Sequence, residues 1–237
     1  MPIEIYVVKI PDELSDTVFE NLLSFFPQER VTRIRKFLFR KNALHTMTGE
    51  MIMRTWISKR IGVHPMEVQI SRDSYGKPHC SNREDLFFNI AHSGQWVAAA
   101  FDSEIIGIDV EYMRDIDIAI AKRFFSNREY EDLIAKDAQQ QQAFFYDLWT
   151  LKESYIKAEG KGLSISLDSF CFTIDHDSIK FELLSGETRN NYFFKHYIFD
   201  PLYKCALCSA TGLFPDAIIN IDFKDLCNDF VSLYKNN

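Results

Sequence analysis

The chain has 237 residues, of which 46% are hydrophobic and 21 are phenylalanine, and a formal net charge of −7. That apolar share excludes a disordered chain, and the length suits one large domain or two smaller ones at roughly 100 to 200 residues per domain. The acidic balance argues against a broad basic surface, so no nucleic-acid partner is expected.

"MPIEIYVVKIPDELSD" has no basic leader, and Glu4 and Lys9 interrupt its short apolar run. It reads as neither signal peptide nor membrane span, so a cytoplasmic protein with no membrane partner is expected. Within it "IEIYVVKI" predicts a strand, and "LSDTVFENLLSFF" predicts a helix with Ser15 at its N-cap. "RVTRIRKFLFRK", residues 30–41, then carries Arg30, Arg33, Arg35, Lys36, Arg40 and Lys41 with no acid before Glu50. In an acidic protein this is a local positive patch suited to an anionic ligand or partner.

"NALHTMTGEMIMRTWISKRIG" predicts a long helix with a core stripe of Leu44, Met47, Met51 and Ile52, ended by Gly62. "YGKPH" punctuates a turn, and "EDLFFNIAHSGQWVAAAFDSEIIGIDVE" predicts three short strands in an antiparallel meander, with His92 in the loop after the first. "FFSNREYEDL" opens a helix with Ser126 and Glu129 as a capping box. A longer helix, "QQAFFYDLWTLKESYIKAEG", ends at Gly160, and "DSFCFTI", "NYFFKHYIF" and "YKCALCSAT" alternate like strands. Helices and strands mix without a strand-helix-strand rhythm, which predicts an α+β fold. The five cysteines are an odd number and read as reduced thiols; Cys205 and Cys208 should point to opposite faces of one strand.

The chemistry concentrates in "IIGIDVEYM", residues 105–113. Strand alternation sends Ile106, Ile108 and Val110 to one face, and Gly107, Asp109 and Glu111 to the other. Taken alone the doublet reads as a strand end in solvent; taken as a site, two carboxylates on one face suit Mg²⁺. On the long second helix Phe144, Leu148, Leu151 and Tyr155 face the core, which turns Glu153 and Lys157 the other way. An i, i+4 ion pair would explain those two but not the grouping of Lys152, Lys157 and Lys161 around one glutamate.

The order of a basic segment, then "GKP", "FNIAHSG", "IGIDVE", "RFFSNREY" and "LWTLKESYIKAEGKGLS" resembles the 4′-phosphopantetheinyl transferases of the Sfp type, a broad-specificity class associated with nonribosomal peptide and polyketide synthesis. The resemblance runs from about residue 27 to about residue 170 and more weakly to 210. It implies two similar halves, 1–104 and 105–237, related by a pseudo-twofold. Each half would pack a long helix on a small antiparallel sheet, with the active-site cleft between them in a monomer. It implies transfer of 4′-phosphopantetheine from coenzyme A to a serine of apo acyl, peptidyl or aryl carrier proteins, releasing adenosine 3′,5′-bisphosphate. Asp109, Glu111 and Glu153 match the family's Mg²⁺ ligands, where Mn²⁺ is an alternative ion, and Lys157 matches a lysine that neutralises phosphate charge, with Lys152 beside it. Glu153 or a metal-bound water would be the base. Gly76, Lys77 and Pro78 match the adenine loop, Thr46 a threonine near the pyrophosphate, and His92, Arg30 and Arg33 the groups on the 3′-phosphate.

At Ala91 the family often has serine, as in "NISHSG", so a lost hydroxyl is expected to weaken coenzyme A binding by about 1 kcal/mol. Arg30 and Arg33 stand where relatives have lysine, which keeps the charge and changes the geometry. Two rival readings are a non-catalytic paralogue that binds coenzyme A or a carrier, and a Mg²⁺-dependent nucleotide pyrophosphohydrolase.

Overall fold

The computed structural model describes residues 1–175, 178–186 and 191–235. The first strand, β1 (Glu4–Lys9), leads into α1 (Asp16–Leu23), whose first turn is capped by the Ser15 side chain accepting from the Val18 amide. The basic segment is itself helical, α2 (Gln28–Arg35), and precedes α3 (Arg40–Ile61), which stops where Gly62 turns left-handed at φ 69°. A short hairpin, β2 (Ile70–Arg72) and β3 (Pro78–Cys80), is followed by β4 (Phe87–Ser93), β5 (Trp96–Asp102) and β6 (Ile106–Tyr112). Next come α4 (Ala121–Phe124), α5 (Asn127–Ile134) with the Ser126–Glu129 capping box, and α6 (Ala138–Glu159), ended by left-handed Gly160. The remaining elements are the hairpin β7 (Phe170–Asp175) and β8 (Ser178–Leu183), then β9 (Phe193–Tyr197), β10 (Tyr203–Ser209), β11 (Ile219–Ile221) and α7 (Phe223–Lys235).

Two small sheets organise the molecule: β11-β1-β5-β4 and β6-β10-β9, antiparallel throughout except for the parallel β1–β11 pair. Their alternation builds three layers of core. Val8, Val97, Ala99 and Phe101 face α3 and join Met47, Met51 and Ile57. Ile5, Val7, Ala98 and Ala100 face the other way and meet Ile106, Ile108, Val110, Cys205 and Leu207 between the sheets. Ala206 and Cys208 face α6, where Leu148, Leu151 and Tyr155 are buried. The molecule is thus a helix, two sheets and a helix stacked in that order, a mixed fold of small sheets and helices. Cys205 and Cys208 do lie on opposite faces of β10, and no disulfide joins any cysteine among the described residues.

Two sequence expectations change. The meander stops at two strands: β6 leaves β5 and pairs with β10 in the other sheet, because the turn after β5 crosses between sheets and is capped by Asp102 accepting from the Ser103 amide. Two side chains stitch β6 to β4 where no ladder does. Asn89 Oδ1 accepts from the Ile108 amide at 2.9 Å, and Ser93 Oγ accepts from the Tyr112 amide at 3.1 Å. The last elements pack away from β6 and α6: β11 lies beside β1, and Leu226 and Phe230 of α7 enter the α3 core, where Phe25, Phe26 and Tyr234 surround Phe230. The chain after α6 reads as strands in the sequence, so the terminal helix α7 has no counterpart in that pattern.

Candidate active site

The face of β6 opposite the inter-sheet core lies directly on α6. Gly107 permits the contact: a Cβ there would stand 2.1 Å from the Ser154 carbonyl oxygen and 2.4 Å from the Ala158 nitrogen. Two residues on, Asp109 is buried and its Oδ1 accepts from Lys157 Nζ at 2.6 Å. Glu111 Oε2 accepts from Ser93 Oγ at 2.7 Å, and Glu153 reaches the same region from α6.

The electrostatics show three carboxylates facing one ammonium. Burial, and then the charge of Asp109, push the Glu111 carboxyl up to about 6 and raise Glu153 as well. Burial also raises Asp109, against the pull of Lys157. Burial opposes the charge on Lys157, yet Asp109, Glu153 and Glu111 together hold it above the ordinary lysine value. Asp109 Oδ2 is buried without a hydrogen-bond partner. An unpartnered carboxylate oxygen in a cluster carrying excess negative charge is the donor chemistry a hard dication requires. Among the described residues no three acidic, histidine or cysteine side chains stand in a ligating arrangement; Lys157 engages one oxygen of Asp109 and Ser93 one oxygen of Glu111.

The expected grouping of lysines around Glu153 is not found, because each lysine has its own acid. Lys157 pairs with Asp109, Lys161 with Glu159 at 3.4 Å, and Lys152 with Glu129 at 2.8 Å. Lys152 is fully buried, donates to the Leu167 and Phe170 carbonyls, and lies over the Phe170 ring. It therefore corrects the expectation of a phosphate contact beside Lys157: its ammonium is committed to joining α6 to the α5 cap and to β7. Glu129 completes that joint, accepting from the Ser126 and Phe172 amides.

His92 lies within β4, paired with Val97, and not in the loop after it as expected, because the strand runs on to Ser93; it lines a cavity of about 210 Å³ with Arg30, Arg33, Thr46, Arg72 and Pro78. Burial lowers the Arg72 guanidinium, and the charges of Arg33 and Arg30 lower it further, so three guanidinium groups converge here. Glu50 offsets them in part, 3.4 Å from Arg30 and 3.1 Å from Arg54. His92 stacks on His45 with ring centroids 4.5 Å apart. His45 Nε2 meets the Gly94 carbonyl at 3.1 Å, while its buried Nδ1 has no partner. Burial, then the neighbouring His92, push His45 down to about 4, and burial followed by Lys157 lowers His92. The cavity suits a phosphate group.

The GKP turn divides. Pro78 lines the guanidinium cavity and a second one of about 430 Å³. Gly76 takes φ 90°, open to glycine, and its carbonyl accepts from Arg72. Lys77 reaches across to α6, donating to the Ala158 carbonyl at 2.6 Å in its last turn. Burial, opposed by Cys208, Asp73 and Glu159, takes its ammonium down to about 8. Ala91 is also displaced from its expected role: its methyl points into the inter-sheet core, on the opposite face of β4 from His92. A serine hydroxyl at this position would not face the cavity, so the expected loss of affinity has no geometric basis.

Arg72, His45, Ser93 and Asn89 are not singled out by the sequence pattern. Arg72 sits in a three-residue strand and His45 within a core helix, where periodicity assigns packing; only the "NIAHS" run carries a signal, for residues flanking His92.

Residues 105–208 match the family described as the 4′-phosphopantetheinyl transferase superfamily, and residues 13–104 match that described as 4′-phosphopantetheinyl transferase, N-terminal. 4′-Phosphopantetheinyl transferase Sfp of Bacillus subtilis (strain 168) is 40% identical over 224 residues, covering 94% of this chain and 99% of that protein. The chain belongs to the 4′-phosphopantetheinyl transferase superfamily. Within it, 4′-phosphopantetheinyl transferase gsp of Aneurinibacillus migulanus is 32% identical over 97% of this transferase and 95% of that protein. 4′-Phosphopantetheinyl transferase HetI of Nostoc sp. is 33% identical over 68% of this chain and 70% of its own. No helix of the described residues is long and apolar enough to cross a membrane.

Proposed function

We propose that this transferase moves the 4′-phosphopantetheinyl group of coenzyme A onto a serine hydroxyl of apo acyl or peptidyl carrier proteins, releasing adenosine 3′,5′-bisphosphate. The observation that carries the reading is the adjacency of His92 and Ser93 at the end of β4. His92 lines the guanidinium cavity while Ser93 holds Glu111 of the carboxylate cluster. One strand end therefore spans a site for a terminal phosphate and a site for a pyrophosphate.

In this reading Arg30, Arg33, Arg72 and His92 hold the 3′-phosphate, Thr46 and Pro78 border the nucleotide, and Lys157 stays charged to meet the developing phosphate charge. Asp109, Glu111 and Glu153 would hold Mg²⁺, which supplies charge neutralisation on the pyrophosphate when bound. Glu153 is the chain's own group for accepting the serine proton. The serine oxygen bonds to the β-phosphorus as its bond to the bridging oxygen breaks, and that oxygen leaves with the nucleotide.

Two similar halves meeting near residues 104 and 105 are part of the proposal. They are supported by one 22-residue helix on each sheet, α3 and α6, and disturbed by the return of residues 219–235 to the first. One chain supplies both walls of the site, which supports a monomer. The test follows release of adenosine 3′,5′-bisphosphate from coenzyme A and Mg²⁺ with and without an apo carrier domain. Release that requires the carrier supports the reading, whereas release without it would mark a pyrophosphohydrolase.

A further inference from the structure

The guanidinium cavity holds a charge that opposes its own chemistry. Arg30, Arg33, Arg72 and His92 line it, and so does Glu50, the single acid among its described lining residues. A carboxylate beside a phosphate repels it, so an acid in this place calls for a compensating gain.

Glu50 is fixed where it stands. Its Oε1 accepts from Arg54 Nε at 3.1 Å, one turn on in α3. Arg54 is held in turn: its side chain is 3% exposed, and its Nη1 donates to the Pro65 carbonyl at 2.6 Å and the Val68 carbonyl at 3.2 Å. Those carbonyls lie in the turn before β2, the strand that carries Arg72 to the same cavity.

The oxygen that accepts from Arg54 also stands 3.4 Å from Arg30 Nε. Arg30 makes no other ion pair with a described residue, so its Nε edge is set against a fixed anion and its two Nη groups are left for an incoming one. A guanidinium held at one edge presents the rest of its fork in a set direction, which bidentate phosphate recognition needs. The same carboxylate eases the crowding of the cations. Burial, then Arg33 and Arg30, lower the Arg72 guanidinium, and Glu50 opposes that fall.

We propose that Glu50 is a positioning residue for phosphate recognition: anchored by Arg54, it aims the Arg30 guanidinium and so sets the preference for a nucleotide that bears a 3′-phosphate over one that lacks it. The inference rests on the transferase reading above, which places the 3′-phosphate of coenzyme A in this cavity. Repulsion and positioning predict opposite signs. If Glu50 only repelled the phosphate, neutralising it would tighten coenzyme A binding; if it aims Arg30, the same change weakens binding.

The test is calorimetric titration of the full chain with coenzyme A and with 3′-dephospho-coenzyme A, for wild type, Glu50→Gln and Glu50→Ala. Glutamine keeps an oxygen for Arg54, so that variant reads the role even if Glu50→Ala fails to fold. The expected result is coenzyme A binding weaker by about tenfold in Glu50→Ala and by a smaller factor in Glu50→Gln, with dephospho-coenzyme A changed by less than about twofold. Tighter or unchanged coenzyme A binding in Glu50→Gln would overturn the proposal, and so would an equal loss for both nucleotides, the mark of a merely structural role. Transfer by wild type to an apo carrier domain is measured in parallel. Wild type that prefers the 3′-phosphate and loses that preference in Glu50→Gln, yet modifies no carrier, would remove the transferase reading and leave the positioning role standing. Wild type with no preference for the 3′-phosphate would overturn the positioning role, whatever its transfer activity.

Discussion

Asp109 meets Lys157 through one oxygen and leaves the other buried and bare, an arrangement that single-residue chemistry makes costly without a further cation. The neighbouring site residues divide by which way their strand turns them. Ala91 and His92 are adjacent, yet one packs between the sheets and the other lines the guanidinium cavity. Ala91→Ser should therefore leave KM for coenzyme A within about twofold and lower the unfolding free energy by about 1 to 3 kcal/mol, the cost of a hydroxyl in an apolar layer. A marked gain in coenzyme A affinity would show that the hydroxyl reaches the ligand. His45 makes the pH argument. It is buried and its folded pKa is about 4, against an ordinary 6.5. The unfolded chain therefore binds more protons between those values, and stability must fall as pH drops from about 6.5 toward 4, by at most about 3 kcal/mol. Urea unfolding of wild type and His45→Gln at pH 7 and pH 5 should show a steeper loss in wild type. Equal losses would mean that His45 charges freely in the folded protein.

At the level of elements, the site depends on how closely α6 lies on β6. Gly107 permits that approach, and the alternation that groups it with Asp109 and Glu111 is legible in the residues of "IIGIDVEYM" alone. So are the ends of α3 and α6 at Gly62 and Gly160 and the Ser126–Glu129 cap, because each depends on local backbone chemistry. The partner of β6 is not legible: strand pairing is non-local, and a short turn after β5 reads like a hairpin whether or not the chain changes sheets. Nor is the partner of Lys152, since its buried acid, Glu129, lies in another helix, 23 positions earlier in the chain. Gly107→Ala should push α6 away, lower stability by about 1 to 3 kcal/mol or more, and reduce turnover by displacing Glu153 and Lys157. Wild-type stability and turnover in this variant would show that the close approach is not needed to build the site.

For the whole molecule, the four stacked layers place the guanidinium cavity and the carboxylate cluster at adjacent positions on one strand end. Lys77 adds a strut across the same boundary, from the hairpin to the last turn of α6. The cluster of carboxylates is readable from alternation and helix phase, and its assembly with His92, Arg30 and Arg33 is readable only through family resemblance, because residues so far apart in the chain carry no local signal of contact. The pairing of β11 with β1 and the packing of α7 on the α3 core fasten the chain end to its beginning. The most direct measurement is the mass of an apo peptidyl carrier domain after incubation with this protein, coenzyme A and Mg²⁺. Addition of one phosphopantetheinyl group by the wild-type chain, lost in Asp109→Ala and Glu153→Ala proteins that remain folded by circular dichroism, is the predicted result. An unmodified carrier with wild type, or full modification by either variant, would contradict it.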